Sequence, residues 1–533
     1  MVHQHYCPNS GVIKAFDTIC QKIKSIYKQQ SQTLDLKSLI YPEKFKRIED
    51  LQERLLLTTD KSIKEILKKE MISIDEELVK TKISRNARFS NLTQQIIKEV
   101  EVLGYGLELD EKTKEILFYD GVVWNQISEK SLVKFIYDLL DSYHIQIKNG
   151  FEDEICKAKF IRQFYWDLPD FQEKKFDDFS VINFLNGTFE LGLDQESSKF
   201  REHRKEDKLR MVLPYNYNPK ATISYFDKTL ELFIPEIDKQ RLLFEFLGYI
   251  FHRNRDLFNL ECMLIMYGKE GRNGKSTIDK VCKSLFGKSN TMAASLSQLC
   301  SPNSYYAHHL RNKWLNICSE TSAKDIDQEF MRALISGENV WVRPIRSDPF
   351  EMSDYAKLMF ILNNLPDFEP DMATQRRIMT IVFDKTISAK EADTSFHKKI
   401  IENDLPGIFN KAIEHFWKLV ERNEFASPES SISEMEGWRR DVCTVTDFVK
   451  SNRYNNKIKK EVSNFYPTND LFELYKNWCS ENQVEAKKFK QGFSKAFKNN
   501  GFKSDTVKNK RGYYVGNIDG RIFKMGDNYK TPF

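Results

Sequence analysis

The sequence predicts an α/β core on a parallel sheet, with a helical stretch and a mixed α+β region before it and a basic helix-and-strand module after it. Three observations predict the core. The apolar run Met263–Tyr267 leads into the glycine-rich segment Gly268–Gly274, and a helical pattern follows over Lys275–Leu285, stopped by Gly287. Two further apolar runs, Trp314–Cys318 and Lys357–Leu362, read as buried strands. Such strands alternate with helical segments, which is the pattern of a sheet joined by crossover helices.

Composition bounds the rest. The chain has 533 residues, 41% hydrophobic and 30% charged, which excludes a globally disordered or fibrous protein. At roughly 150 residues per domain it holds three or four domains. Leu242–Phe251 is among the longest mostly apolar runs, far below the roughly 18 residues of a membrane span. The N-terminus lacks the apolar core of a signal peptide, and the nine cysteines form no C-x-x-C pair. A cytoplasmic protein with reduced thiols and no membrane partner is the expectation. His3, His5 and Cys7 could hold a metal, against the alternative of a disordered start. Net charge is only +5, but residues 451–533 carry 17 basic and 8 acidic side chains. That excess suggests a polyanion-binding module; a solvated lysine surface is the other reading.

The elements follow in order. Residues 11–88 read as helices, with Ile13, Phe16, Cys20 and Ile23 at three- and four-residue spacing. They are expected to form an arm for oligomerisation or a partner. Ile116–Trp124 reads as two strands around Asp120-Gly121, Ser131–Leu140 as a helix, and Asn183–Leu191 as a hairpin turning at Asn186-Gly187. Residues 223–251 read as helical. The expected domains are 1–90, 91–222, 223–425 and 441–533.

The chemistry begins at Gly268-Lys-Glu-Gly-Arg-Asn-Gly-Lys-Ser-Thr277. Gly268, Gly271 and Gly274 let backbone amides approach phosphate oxygens, and the amides of Asn273, Lys275, Ser276 and Thr277 border the helix start. Lys275 would reach the β- and γ-phosphates of ATP, and Ser276 would ligate Mg²⁺. The loop departs from the common spacing, since Lys269 stands where the first glycine falls; it is one residue longer or bulged. A glycine-bearing surface turn is the alternative.

Companion residues narrow the reading. Glu320 follows Trp314–Cys318, where a carboxylate at a strand's C-terminal end can hold Mg²⁺-bound water or polarise the attacking water. An exposed turn glutamate is the other reading. Asn363 ends Lys357–Leu362 and can orient water, or can simply form a turn. Arg376 and Arg377 precede another apolar run; such an arginine can accelerate hydrolysis roughly 10³–10⁵-fold, from its own or a neighbouring subunit. Ser336–Phe350, returning through Met352, reads as a β-hairpin with Arg343 and Arg346 placed for a phosphodiester backbone, or as an ordinary surface hairpin.

This constellation resembles the superfamily 3 helicases of phages, plasmids and large DNA viruses, in the poxvirus primase–helicase branch. The carrying residues are Asn273–Thr277, Leu315–Glu320, Ser336-Gly337 with Val342-Arg343, Lys357–Pro366, and Arg376-Arg377 before Phe383; Tyr119–Trp124, Asn183–Thr188 and Leu213–Pro219 resemble that branch's N-terminal domain. The resemblance covers about residues 90–400. It implies an AAA+ P-loop ATPase core in a hexameric DNA helicase of a mobile element, with possible replication-protein partners. Its roles fall on Lys275 and Ser276 for phosphate and Mg²⁺, Glu320 for water activation, Asn363 for γ-phosphate sensing, and Arg376 or Arg377, with Arg377 preferred, as arginine finger. Arg343–Phe350 takes the part of the channel hairpin. Related chains carry a primase domain ahead of the helicase; residues 1–90 lack its paired aspartates, so primase activity is not expected. A DNA remodeller or loader, and an origin-binding protein without processive unwinding, are the alternative functions.

The last module reads as helices Asp470–Cys479, capped by Thr468 or Asn469, and Ala486–Asn499, then the strand Gly512–Gly516. With Lys487, Lys488, Lys490 and Lys495 on the second helix, this predicts a C-terminal winged helix whose basic helix meets duplex DNA. A packing module is the alternative.

Overall fold

A computed structural model describes residues 8–30, 42–58, 61–80, 85–142, 154–268, 272–301, 305–319, 326–346, 348–363, 372–386, 396–433, 444–450, 464–483, 486, 490–499, 502, 504–507 and 510–515. They divide into two compact units. One comprises residues 1–192 with 198–217, the other residues 193–197 with 218–533.

The first unit is built on two three-stranded antiparallel sheets. β1 (Gly106–Asp110), β2 (Glu115–Tyr119) and β3 (Trp124–Ile127) form one; β4 (Ser180–Phe184), β5 (Gly187–Leu191) and β6 (Lys199–Arg201) form the other. Both expected hairpins are present. At the first turn the Asp120 carboxylate accepts from the amides of Val122 (3.0 Å) and Val123 (2.9 Å), while Gly121 takes φ +98°. Asn183 Nδ2 donates to the Val122 carbonyl at 2.7 Å and so ties that turn to β4.

The first helix, Pro8–Gln30, departs from expectation. Its Val12, Ala15, Ile19 and Ile23 are buried in one cluster with Phe89, Leu92, Phe118 and Phe135. Phe16 stacks on Phe135 with ring centroids 4.0 Å apart. A boundary at residue 90 therefore cuts through a single core, and this helix is not a separate arm. The physical reason is its apolar stripe, which is wide enough to need a partner. Helices Pro42–Leu57 and Lys61–Lys80 instead pair with each other through Arg47–Glu70 (3.0 Å) and Lys44–Glu77 (2.7 Å).

The second unit holds the parallel sheet. Its strands are β7 (Met263–Tyr267), β8 (Thr291–Met292), β9 (Leu315–Cys318), β12 (Lys357–Leu362) and β13 (Ile378–Val382), in the order β13-β7-β12-β9-β8, all parallel. β7, β9 and β12 are buried along their whole length, as a sheet covered on both faces requires. Pro235 separates the expected helical stretch into Tyr225–Phe233 and Ile237–Phe251. The latter packs on Leu405–Arg422, where Gly248 permits close approach: a Cβ there would lie 2.7 Å from Phe416 Cβ and nearer still to the Ala412 carbonyl. The buried Glu245 fastens this pair, accepting from Arg241 Nε (2.8 Å), Arg422 Nη2 (2.7 Å) and the Ala426 amide (2.8 Å).

β10 (Val340–Val342) and β11 (Phe350–Met352) form a two-stranded hairpin with Val340 opposite Met352. The last module runs helix Thr444–Lys450, β14 (Asn464–Pro467), helices Thr468–Glu481 and Lys490–Asn499, then β15 (Ser504–Val507) and β16 (Lys510–Val515), with sheet order β14-β16-β15. Its core gathers Tyr475, Phe493, Phe497 and Tyr513. Thr468 is not a side-chain cap; its hydroxyl donates to the Arg511 carbonyl at 3.0 Å, joining helix to hairpin.

Candidate functional site

The site begins where β7 ends. β7 lies between β13 and β12, and the helix Lys275–Phe286 starts just beyond the loop that leaves it. Two glycines are dictated by crowding. Gly274 caps that helix with φ +85°, and a Cβ there would sit 2.5 Å from the Phe233 ring. A Cβ on Gly268 would sit 2.5 Å from Asn273 Nδ2 and 3.0 Å from Phe383 Cβ. Arg272 also adopts φ +59°, so the loop turns left-handed twice before the helix.

Those turns fold Lys275 back over the loop. Its side chain is buried and its ammonium donates to the Gly268 carbonyl. Burial lowers its pKa below the ordinary lysine value. A cation is thus held at a helix N-terminus whose first amides lack helical partners, an arrangement suited to an anion. Asn273 is buried at the same turn, while Ser276 is exposed at the helix start and Thr277 is half-buried. The glycine-lined turn, the lysine and the serine hydroxyl fit a nucleotide triphosphate with its divalent cation. Gly271 and Glu320 lie outside the described residues, as do His3, His5 and Cys7. Among the described residues no group of three His, Cys, Asp or Glu could hold a metal. Asn363 is exposed directly after β12, whose Leu362 pairs with Tyr267 at the end of β7. It therefore stands on the same sheet edge as the loop.

The two arginines sit elsewhere. They precede β13, where Ile378 pairs with Met263 at the start of β7. At about 3.3 Å per residue, the length of β7 puts roughly 13 Å between that level and Tyr267, before the loop begins. The pair is therefore at the opposite end of the strand from Lys275. Within the pair, the geometry goes against Arg377 as the arginine that reaches outward. Arg377 is 8% exposed; its Nε donates to Ser336 Oγ (2.9 Å), its Nη1 to the Ala373 carbonyl (2.9 Å), and Nη2 pairs with Glu261. Arg376 has a side chain 70% exposed, with Glu261 at 3.9 Å.

On the hairpin, Arg343 and Arg346 are both exposed, and Arg346 turns the tip with φ +59°. Sequence reasoning missed Trp341, which is 68% exposed between buried Val340 and Val342, and Ile345, equally exposed at the tip. The alternation Val-Trp-Val was the signal: if the valines face the core, the tryptophan faces away. The hairpin's root is tightly bonded. Arg255 donates to the carbonyls of Gly337 (2.6 Å), Ser353 (3.3 Å) and Tyr355 (3.2 Å), and Asn259 to that of Ser336 (2.9 Å). In the last module, Lys490 is exposed and donates to Asn469 Oδ1 (2.8 Å), and Lys495 lies within the helix Lys490–Asn499. Lys487 and Lys488 lie outside the described residues.

Three family models match separate stretches of the chain. Residues 94–235 match a family described as D5 N terminal like, and residues 444–524 one described as Poxvirus D5 protein-like. Residues 266–377, which carry the loop, the hairpin and the arginines, match a family of unknown function, DUF5906. The chain is 26% identical over 255 residues to a putative helicase, 184R, of Invertebrate iridescent virus 6; the match covers 44% of this chain and 25% of that protein. The chain thus spans about a quarter of that relative. Among solved structures, the C-terminal region of NrS-1 is 13% identical, with a TM-score of 0.43 over 80% of this chain and 98% of that one. A JCV helicase aligns at 11% identity and a TM-score of 0.24, covering 43% and 61%. Scores this low carry no argument about activity. The resemblance to the poxvirus-type branch rests on the two D5 family matches and the iridescent-virus relative. Among the described residues, no helix is long and apolar enough to cross a membrane.

Proposed function

We propose that this chain is an ATP-driven DNA helicase of the superfamily 3 type, a AAA+ motor that separates DNA strands in the replication of a virus, phage, plasmid or other mobile element and works as a ring, most simply a hexamer. One observation carries the proposal: the phosphate-binding loop and the exposed Arg376 stand at opposite ends of the same strand, β7. No arginine side chain spans that length. If Arg376 is the charge-stabilising arginine, it serves the loop of a neighbouring subunit, and hydrolysis is then a property of an assembly.

Within that reading, the amides of residues 272–276 and the Lys275 ammonium bind the phosphates. Occupation requires the ammonium to leave the Gly268 carbonyl, on which it now rests. Mg²⁺ held by Ser276 and Glu320 would screen phosphate charge. Asn363 orients the attacking water from the neighbouring strand end, and Arg376 of the next subunit meets the charge that develops on the γ-phosphate. The hairpin offers cations, Arg343 and Arg346, to a phosphodiester backbone and the Trp341 ring to a base. The order helix, strand, two helices, hairpin in the last module supports a winged helix with its lysines toward duplex DNA.

The test is DNA-stimulated ATP hydrolysis by the purified full chain, with Lys275→Ala as control. We expect stimulation by single-stranded DNA and its loss in the variant. Retained stimulated hydrolysis would reject the site. Mixing Lys275→Ala with Arg376→Ala subunits should restore part of the activity, because each ring then contains some intact seams.

A further inference from the structure

Arg377, withdrawn from the role of an outward-reaching charge, is connected to something else. Its guanidinium spans three elements: Ser336 Oγ at the end of the helix Gln328–Ser336, the Ala373 carbonyl in the short helix Met372–Gln375, and the Glu261 carboxylate just before β7. Its backbone is fixed as well, for its carbonyl accepts from the Met263 amide at 2.8 Å and its amide donates to Thr374 at 3.1 Å. Arginine suits such a junction, since five donors in a rigid plane hold several acceptors at set angles. Ser336 is buried and is followed by Gly337 at φ +78°, where a Cβ would lie 2.5 Å from Arg255 Cδ. From there the chain runs directly into β10 and the exposed hairpin. The Tyr355 hydroxyl closes the root from the other leg, its one proton shared between the carbonyls of Glu338 (2.7 Å) and Ala333 (3.1 Å).

Glu261 is the shared element. Its Oε2 is bound by Arg377 and lies 3.9 Å from Arg376. An anion that draws Arg376 away leaves Glu261 wholly to Arg377, and the Arg377–Ser336 contact passes that change to the hairpin's root. We infer that Arg377, through Glu261 and Ser336, is a positioning residue that couples phosphate engagement by Arg376 to the hairpin of the same chain. This rests on the helicase reading above and adds to it a route by which one subunit's nucleotide sets its neighbour's grip on DNA. The direction follows from the bonds: losing the hydroxyl at Ser336 or the charge at Glu261 leaves both end stations in place and removes the link between them.

The experiment uses the full chain and two variants, Ser336→Ala and Glu261→Gln, neither of which touches nucleotide or DNA. Dissociation constants for a fluorescent oligothymidylate are measured with ADP and with a non-hydrolysable ATP analogue, alongside basal ATPase and melting temperature. We expect basal hydrolysis within about twofold of wild type in both, and the ADP-to-analogue affinity ratio to move at least about fivefold toward one, within the usual range of coupling between sites. An unchanged ratio in both variants overturns the inference, as does a fall in both affinities by one factor together with a lowered melting temperature, which is the mark of a merely structural contact. A wild-type ratio of one overturns it too, while leaving ATP hydrolysis to judge the helicase reading. Absence of any Lys275-dependent hydrolysis in wild type would reject the helicase reading itself and this inference with it.

Discussion

Substituting Gly248 by alanine should destabilise the second unit, and the sign of the effect is what makes it informative. In an exposed helix interior, alanine is favoured over glycine by about 1 kcal/mol. At Gly248 the new Cβ would stand 2.7 Å from Phe416 Cβ, with the Ala412 carbonyl closer, against an ordinary contact of at least 3.4 Å. Both obstacles belong to the facing helix itself, so no flexible side-chain end can turn aside. The helices Ile237–Phe251 and Leu405–Arg422 must part by about 1 Å, and a gap of that size forfeits a quarter to a half of each contact's attraction. Buried pairs along the seam, such as Phe251–Phe409 with centroids 5.0 Å apart, share that loss. Overpacking of this kind costs about 1–3 kcal/mol; the rigid obstacle argues for ~3 kcal/mol, leaving a net loss of about 2 kcal/mol after the helix preference. Urea unfolding of the full chain, followed by circular dichroism, should show the corresponding transition at lower denaturant with unchanged slope. An unchanged or raised midpoint would refute the close packing.

Three further outcomes follow from the geometry. Arg376→Ala should leave stability unchanged and lower DNA-stimulated ATPase by ~10³-fold, whereas Arg377→Ala should cost about 1–3 kcal/mol in denaturant, because it strands the buried Ser336 hydroxyl and Ala373 carbonyl; equal stability losses would undo the distinction. Trp341→Ala should weaken binding to an oligothymidylate by about 1–3 kcal/mol without moving the melting temperature, and an affinity within twofold of wild type would remove the ring from the DNA surface. Burial, and secondarily the nearby Lys357 charge, depress the pKa of His252 from 6.5 to about 4, so its neutral form contributes stability that is present above about pH 6.5 and is lost as pH falls toward 4. His252→Phe should flatten the stability profile in that window, and an unaltered difference between variant and wild type across it would rule the histidine out.

Much of this architecture is legible in the residues. β7, β12 and the two hairpins of the first unit lie where apolar runs and Asp-Gly or Asn-Gly turns place them, because strand boundaries set by glycine and polar turns are local properties. The conformations demanded of Gly274 and Gly337 are local in the same way. What escapes the sequence is non-local. Nothing adjacent to Arg377 announces Ser336, 41 residues away, or Glu261, and without them the two arginines look alike. The first helix shows its apolar stripe plainly, yet the spacing cannot say that Phe118 and Phe135 fill the other side. Trp341 is a case between: its exposure follows once the flanking valines are known to be inside.

That first helix bears on how the protein can be divided for study. A fragment cut to begin at residue 90, where resemblance to the viral proteins starts, would strip Val12, Ile19 and Ile23 from beneath the aromatic rings they cover and bare that surface to water. Such a piece should aggregate or bind hydrophobic dyes, while one that keeps residues 8–30 should behave as an intact body.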